Sequence, residues 1–197
     1  MRLPVLSEPE RAIFAMAAAA EAKDQYSRTH PKRVADTAVQ LGIRLGLGEA
    51  ELLALYRGAL FHDIGKIFVP EAILRKPGPL NSEEEREMRA HPVIGERIVR
   101  RFSSASDVLS IVRHHHERFD GGGYPDGLYG YKIPLLARIV SVSDAHDALT
   151  SDRPYRPRRS PAQMIETFMR GAGKQWDREV VSLLFSALSA SQLELAS

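Results

Sequence analysis

Leu60-Phe61-His62-Asp63-Ile64-Gly65-Lys66 closes an apolar stretch with a histidine, an acid and, one turn on, a lysine. Upstream, Leu52, Leu55, Tyr56, Ala59 and Leu60 recur at the 3, 4, 7, 8 spacing of one buried helical stripe. The spacing predicts a helix from Glu49 to about Ile64. Asp63 continues that stripe, three residues after Leu60 and four after Ala59. A carboxylate facing a core is costly unless it is paired or binds a metal. A lone aspartate there would more often be a paired structural residue. With His62 beside it and Lys66 one turn on, the ligand reading takes precedence.

The neighbouring stretches repeat this chemistry. His91 precedes Pro92 as His30 precedes Pro31, an imidazole just ahead of a helix opened by proline. His114-His115-His116 ends an apolar run, and Asp144, His146 and Asp147 interrupt another. The chain has seven histidines and no cysteine, and five of the seven lie between His62 and Asp144. Imidazole and carboxylate without thiolate suit iron, manganese, zinc or nickel. The whole reads as the ligand set of a centre with more than one ion.

At 197 residues, with 44% hydrophobic and 26% charged residues, the chain has the size and composition of one ordinary soluble domain. A net charge of +2 gives no support to binding of a nucleic-acid polymer or a membrane. Arg153, Arg156, Arg158 and Arg159 crowd one stretch, which is either a solvated basic loop or a phosphate contact. Without cysteine there is no disulfide framework, compatible with the cytoplasm. Ala12 to Ala20 carries no charge, but acids precede it and it is too short to span a bilayer, so it reads as an alanine-rich helix.

In order, helices are expected from a Ser7/Glu10 capping box to Lys23, from His30-Pro31 to Leu45, and from Glu49 to Ile64. A short helix to Leu74 follows, then a charged one capped by Ser82 with Glu85. Next come the helix after His91-Pro92 and one from Asp107 to His116. Three consecutive residues of a regular helix point about 100° apart, so the three histidines cannot all face one point. Two of them can bind different ions, or one ion if the helix ends there. Gly121-Gly122-Gly123-Tyr124-Pro125-Asp126-Gly127 must be a loop, and alone it is weak evidence for a phosphate site. Pro134 opens a central helix to Thr150, Ser160 caps the next, and Asp177 caps the last, with a frayed tail from Ser189. No strand pattern stands out. The class is all-α.

His62-Asp63 with Lys66, then His91, His115-His116-Glu117, Gly123-Tyr124-Pro125 and Asp144, resemble an HD-GYP domain of the HD phosphohydrolase superfamily. The resemblance runs from about Asp24 to Asp177 within a single domain of residues 1–197. It includes Asp147-Ala148-Leu149-Thr150-Ser151-Asp152-Arg153-Pro154-Tyr155-Arg156. It implies an HD-domain helical bundle with a GYP-containing loop and a bacterial, metal-dependent phosphodiesterase. Such an enzyme hydrolyses cyclic di-GMP to linear pGpG, with GMP as a further product left open and cyclic GMP-AMP as a neighbouring substrate.

Carried over residue by residue, His62, Asp63, His91, His115, His116 and Asp144 resemble metal ligands, Asp63 as the bridge, with His30 as a further ligand. Two divalent ions, iron or manganese, are expected. A third is disfavoured because Tyr26 stands where three-metal members have a glutamate. Two ions bridged by a carboxylate acidify a shared water to the nucleophilic hydroxide and clamp the phosphate. Lys66 would steady charge on a phosphoryl oxygen, making Asp63 and Lys66 the catalytic pair. Lys66, Tyr124, Arg153, Arg156 and Asp147 are the expected substrate contacts, with loop packing as the other reading of Tyr124. Glu117 and Asp120 are expected to orient ligands or the loop. Ser143 and His146 depart slightly from the family's usual residues. The alternative is a catalytically weak cyclic-dinucleotide receptor or a module that meets a diguanylate cyclase. Degenerate relatives lose the His-Asp pair, the lysine or the loop tyrosine, and all three are present. The sequence contains no receiver, sensory or transmembrane pattern, so the chain is expected either to be a stand-alone enzyme or to be a fragment from which a regulatory domain has been cut away.

Overall fold

The computed structural model describes residues 7–23, 29–152 and 157–194. Tyr26, Arg153, Pro154, Tyr155 and Arg156 lie outside the described residues. Those described form helices and loops with no strand. In chain order the helices are α1 (Glu8–Lys23), α2 (His30–Arg44), α3 (Glu49–Phe61), α4 (Glu71–Leu74), α5 (Ser82–Arg89), α6 (His91–Val99), α7 (Leu109–His114), α8 (Leu135–Thr150), α9 (Pro161–Gly171) and α10 (Arg178–Glu194). Short 3₁₀ segments cover Ile64–Phe68, Ser103–Val108 and Gly130–Lys132. Among the described residues, no helix is long and apolar enough to cross a membrane.

The core is shared by α2, α3, α7 and α8, with Leu41, Leu55, Ala59, Ile111, Val112, Ile139 and Val140 buried together. The alanine-rich run is helical, as expected, and α1 buries Ile13, Ala17 and Ala20 at four- and three-residue spacing. Its far end is tied to the site: the Lys23 ammonium donates to the carbonyls of Ile67 and Val69 at 3.0 and 2.5 Å. At its near end Glu10 accepts from the Ser7 amide at 2.7 Å and pairs with buried Arg57 of α3, also at 2.7 Å.

Several expected boundaries shift. The third helix stops at Phe61, not Ile64, because the chain turns at His62-Asp63 into a 3₁₀ segment. Asp63 therefore sits at the start of that segment rather than on a continuing α-helical stripe. The cap of α5 is Asn81, whose side chain accepts from Glu83 and Glu84 while Glu84 reaches back to its amide. Asparagine offers the same short acceptor one residue earlier than Ser82. The stretch expected as one helix from Asp107 is a 3₁₀ segment and then α7, which ends at His114. The last helix continues through the expected frayed tail to Glu194. Ser160 and Gln163 form the expected capping box, and Asp177 accepts from the Glu179 amide at 2.8 Å as the expected cap of α10.

One close approach fixes the geometry of the centre. A Cβ added at Gly65 would lie 1.9 Å from the His91 carbonyl oxygen and 2.7 Å from the Gly95 amide nitrogen. Both are backbone atoms that no rotamer can move, so glycine is what lets the His62-Asp63 turn lie on the first turn of α6. Gly65→Ala is expected to cost about 1–3 kcal/mol, as overpacking of a tight contact does. A urea unfolding curve measures this, and an unchanged midpoint would show that the two backbones can part freely.

Candidate metal centre

The imidazoles enter from helix ends. His30 and His91 open α2 and α6, each followed by proline, which belongs in a first helical turn because it lacks the amide that would go unbonded there. His62 and His115 follow the last residues of α3 and α7. Asp144 projects from the middle of α8. His30, His62, Asp63, His91 and His115 are buried.

Two groups of donor atoms result. Asp63, His91, His115 and His116 bring one ligand atom each within 4.8 Å of one another, and His30, His62 and Asp144 do the same. The two groups adjoin at the His62-Asp63 pair. His91 Nε2 lies 3.1 Å and His115 Nε2 3.7 Å from Asp63 Oδ1, and His62 Nε2 lies 3.2 Å from Oδ2. His30 Nε2 is 3.5 Å from Asp144 Oδ1. Lys66 Nζ donates to Asp63 Oδ2 at 2.7 Å.

The other ring nitrogens are fixed. His62, His91 and His115 each donate from Nδ1 to the carbonyl three residues earlier, of Ala59, Met88 and Val112, at 2.7, 2.7 and 2.9 Å. That bond directs Nε2 inward, where a metal ligand's donor atom must lie. His62 Nε2 and Asp63 Oδ1 are buried without a hydrogen-bond partner, despite their short contacts to neighbours. Buried polar atoms are nearly always partnered, so these two atoms, one from each donor group, suit metal ligation. Nitrogen and oxygen donors without sulfur also match the metals expected from the sequence. The cluster could hold divalent ions at both groups.

The electrostatics agree. Burial alone would raise the Asp63 carboxyl, but Lys66 and His62 hold it well below the ordinary range. Burial, set against the nearby Asp63 carboxylate, pushes His115 down to about 4. Burial, with the charges of His115 and His91, also lowers His116. Both rings are neutral at pH 7 and available as ligands. His62 differs: burial opposes its charge, but the Asp63 carboxylate, Asp144 and the Ala59 carbonyl outweigh it and push it up to about 9.

The triplet divides because α7 ends. His115 and His116 turn inward to one donor group. His114 points away, bonding the Ser110 carbonyl and Asp126 at 3.0 and 2.9 Å. Arg113 grips Asp126 with two bonds of 2.7 Å. The glycine loop is held from beneath by buried Glu117, which accepts from the amides of Asp126 and Leu128 at 2.7 and 3.1 Å. Asp120 pairs with Arg118 and accepts from the Gly122 amide at 3.0 Å. A Cβ at Gly123 would fall 2.2 Å from the Arg118 amide nitrogen, so the loop folds back against its own start. Tyr124 is stacked on His116, with ring centroids 4.9 Å apart and planes 23° apart. The Arg89 guanidinium covers the Tyr124 ring at 5.1 Å.

Asp147, expected at the substrate, is buried, and its oxygens are occupied by His30 and Arg33. Ser143 donates to the Ile139 carbonyl at 2.9 Å and belongs to the core, and His146 lies in neither donor group. Sequence reasoning missed Arg33 altogether. The signal was present, since Arg33 follows His30 at the three-residue spacing that puts two side chains on one helix face.

Imidazoles at helix ends around a His-Asp pair, in an all-helical bundle, define an HD-domain protein. The family model described as "HD domain" matches residues 14–180, and the chain belongs to that family. Its loop carries Gly123-Tyr124-Pro125, one of the motifs on which the resemblance to HD-GYP domains rests. RpfG of Xanthomonas campestris, named as a cyclic di-GMP phosphodiesterase response regulator, is 36% identical over 184 residues, 91% of this chain and 48% of the relative. A 3'3'-cGAMP-specific phosphodiesterase of Vibrio cholerae is 41% identical over 141 residues, 72% of this chain and 33% of the relative. The chain thus spans half or less of the length of these relatives. Among solved structures, an HDG"Y"P protein of Bdellovibrio bacteriovorus superposes with a TM-score of 0.67 at 22% identity, over 91% of this chain and 62% of the other. That likeness shows the fold.

His62 must shed its proton to accept an ion. Its pKa of about 9 therefore predicts that metal affinity rises with pH through neutrality and levels off above about 9. Loading at pH 7 should release about one proton from this ring. Calorimetry in buffers of different ionisation enthalpy measures that release, and a buffer-independent heat would contradict it.

Proposed function

We propose that this chain is a cyclic-dinucleotide phosphodiesterase that opens cyclic di-GMP to linear pGpG. The observation that carries the reading is the pair of donor groups meeting at one buried aspartate, with a lysine on that aspartate. The names of the similar proteins support the substrate class, and they favour 3'3'-cGAMP as the competing substrate.

Bound at these residues, two divalent ions, iron or manganese, would supply a water nucleophilic at neutral pH and charge neutralisation for the phosphoryl oxygens. Asp63 links the two donor groups. His91, His115 and His116 complete one, and His30, His62 and Asp144 the other. The Lys66 ammonium, held on Asp63, turns to a phosphoryl oxygen as charge develops there. Tyr124, packed on His116, borders the substrate, and Arg153 and Arg156 take the second phosphate or a guanine, where arginine's planar fork fits. The 197 residues act as a single domain in the cytoplasm, with a regulatory domain or a diguanylate cyclase as the protein partner.

The test is product analysis. The protein, prepared without oxygen and loaded with Fe(II) or Mn(II), is given cyclic di-GMP or 3'3'-cGAMP, and the nucleotides are separated. Linear pGpG is expected. Tight binding without turnover would instead support a receptor. Lys66→Ala should lower turnover on the order of a hundredfold or more while metal content stays near that of the wild type. Asp63→Asn should lose both activity and metal. Elemental analysis beside the rates separates the two, and loss of metal in Lys66→Ala would make that lysine structural.

A further inference from the structure

Arg33 takes no place among the donor groups, yet it lies one helical turn after His30 and reaches across from α2 to α8. Its Nη2 donates to Asp147 Oδ2 at 2.9 Å and its Nε donates to Asp147 Oδ1. Asp147 Oδ2 also meets His30 Nδ1 at 2.7 Å. An ionised carboxylate can only accept, so the His30 proton sits on Nδ1 and the lone pair on Nε2. That Nε2 faces Asp144, 3.5 Å away, in the group formed with His62.

His30 is held differently from three of the other rings. His62, His91 and His115 are each aimed by a carbonyl three residues earlier. His30 Nδ1 is met from across the bundle, by Asp147 of α8. A side-chain carboxylate from α8 takes the role instead, and a carboxylate rotates unless something fixes it. The guanidinium holds both oxygens in one plane by its two-point fork. Asp147 has a side chain only 8% exposed, whereas that of Arg33 is 37% exposed. The pair is thus anchored from the solvent side and aims inward.

We infer that Arg33 is a positioning residue for the second ion site: through Asp147 it fixes the tautomer and plane of His30, and so sets the affinity of the His30, His62 and Asp144 group without touching the Asp63, His91, His115 and His116 group. This rests on the two-ion reading of the centre but on no particular substrate. Outer partners of ligand histidines commonly change metal affinity by about 10–100-fold, and a loss of that size is expected at one site alone.

The metal-free full chain is titrated with Mn(II), followed by equilibrium dialysis with elemental analysis and by electron paramagnetic resonance. The wild type should take up two ions and show the signature of a coupled pair. Arg33→Ala should keep the first ion at wild-type affinity and bind the second about 10–100-fold more weakly, with a signal of isolated Mn(II) between the two steps. Arg33→Lys restores the charge but not the fork and should fall between them. Two ions bound by Arg33→Ala at wild-type affinity would overturn the inference. So would an equal weakening of both sites, which would make Arg33 a general fold-stabilising residue. A wild type that holds fewer than two ions would fail the two-ion reading itself, and the inference with it, an outcome distinct from the other two.

Discussion

A carboxylate buried among imidazoles is the constraint on which the centre depends. Asp63 touches His62, His91 and His115 and is held by Lys66, all within a few ångströms and nearly out of contact with solvent. Buried charge of this kind is expensive, and a buried charge deprived of its partners is more expensive still. Removing water from the site strengthens every remaining interaction there. The elements around it, a turn leaving α3, the first turn of α6 and the last turn of α7, have to meet at one place for the acid to be tolerated. Gly65 permits the closest of these approaches, backbone against backbone.

The second organising fact is that the imidazole ligands come from helix ends. A helix interior would spread consecutive histidines around its axis, as the sequence already implied for 114–116. Ending α7 at His114 frees the next two residues to point the same way, while His114 is turned outward to Asp126. The glycine loop then packs back over the ligand turn, with Glu117 beneath its amides and Tyr124 on the face of His116. The loop thus belongs to the wall of the centre as much as to its mouth.

Much of this was legible in the sequence, because charged residues on apolar stripes advertise themselves. Asp63 and Asp144 stood out for that reason, and the all-helical class followed from periodicity. The precise course of the chain did not. Extending α3 to Ile64 follows the apolar pattern, but Gly65 and the packing of α6 impose a 3₁₀ segment that periodicity does not report. The cap at Asn81 was missed because Ser82-Glu85 offers an equally good box one residue on. The contacts of Asp147 with His30 and Arg33 join residues more than a hundred positions apart, so they are not visible locally. Pairings of that kind are decided by the bundle, not by any stretch of it.

Three of the imidazoles are oriented by main-chain carbonyls three residues earlier in the chain. A main-chain carbonyl survives every amino-acid replacement, so the aim of those three rings is shielded from mutation so long as the local turn forms. His30 is oriented by a side chain, which a single codon change can delete. The centre therefore has unequal evolvability built into it. The aim of three rings, divided between the two donor groups, is buffered against genetic drift, and that of His30 is open to tuning, loss or respecification by changes that never alter a ligand.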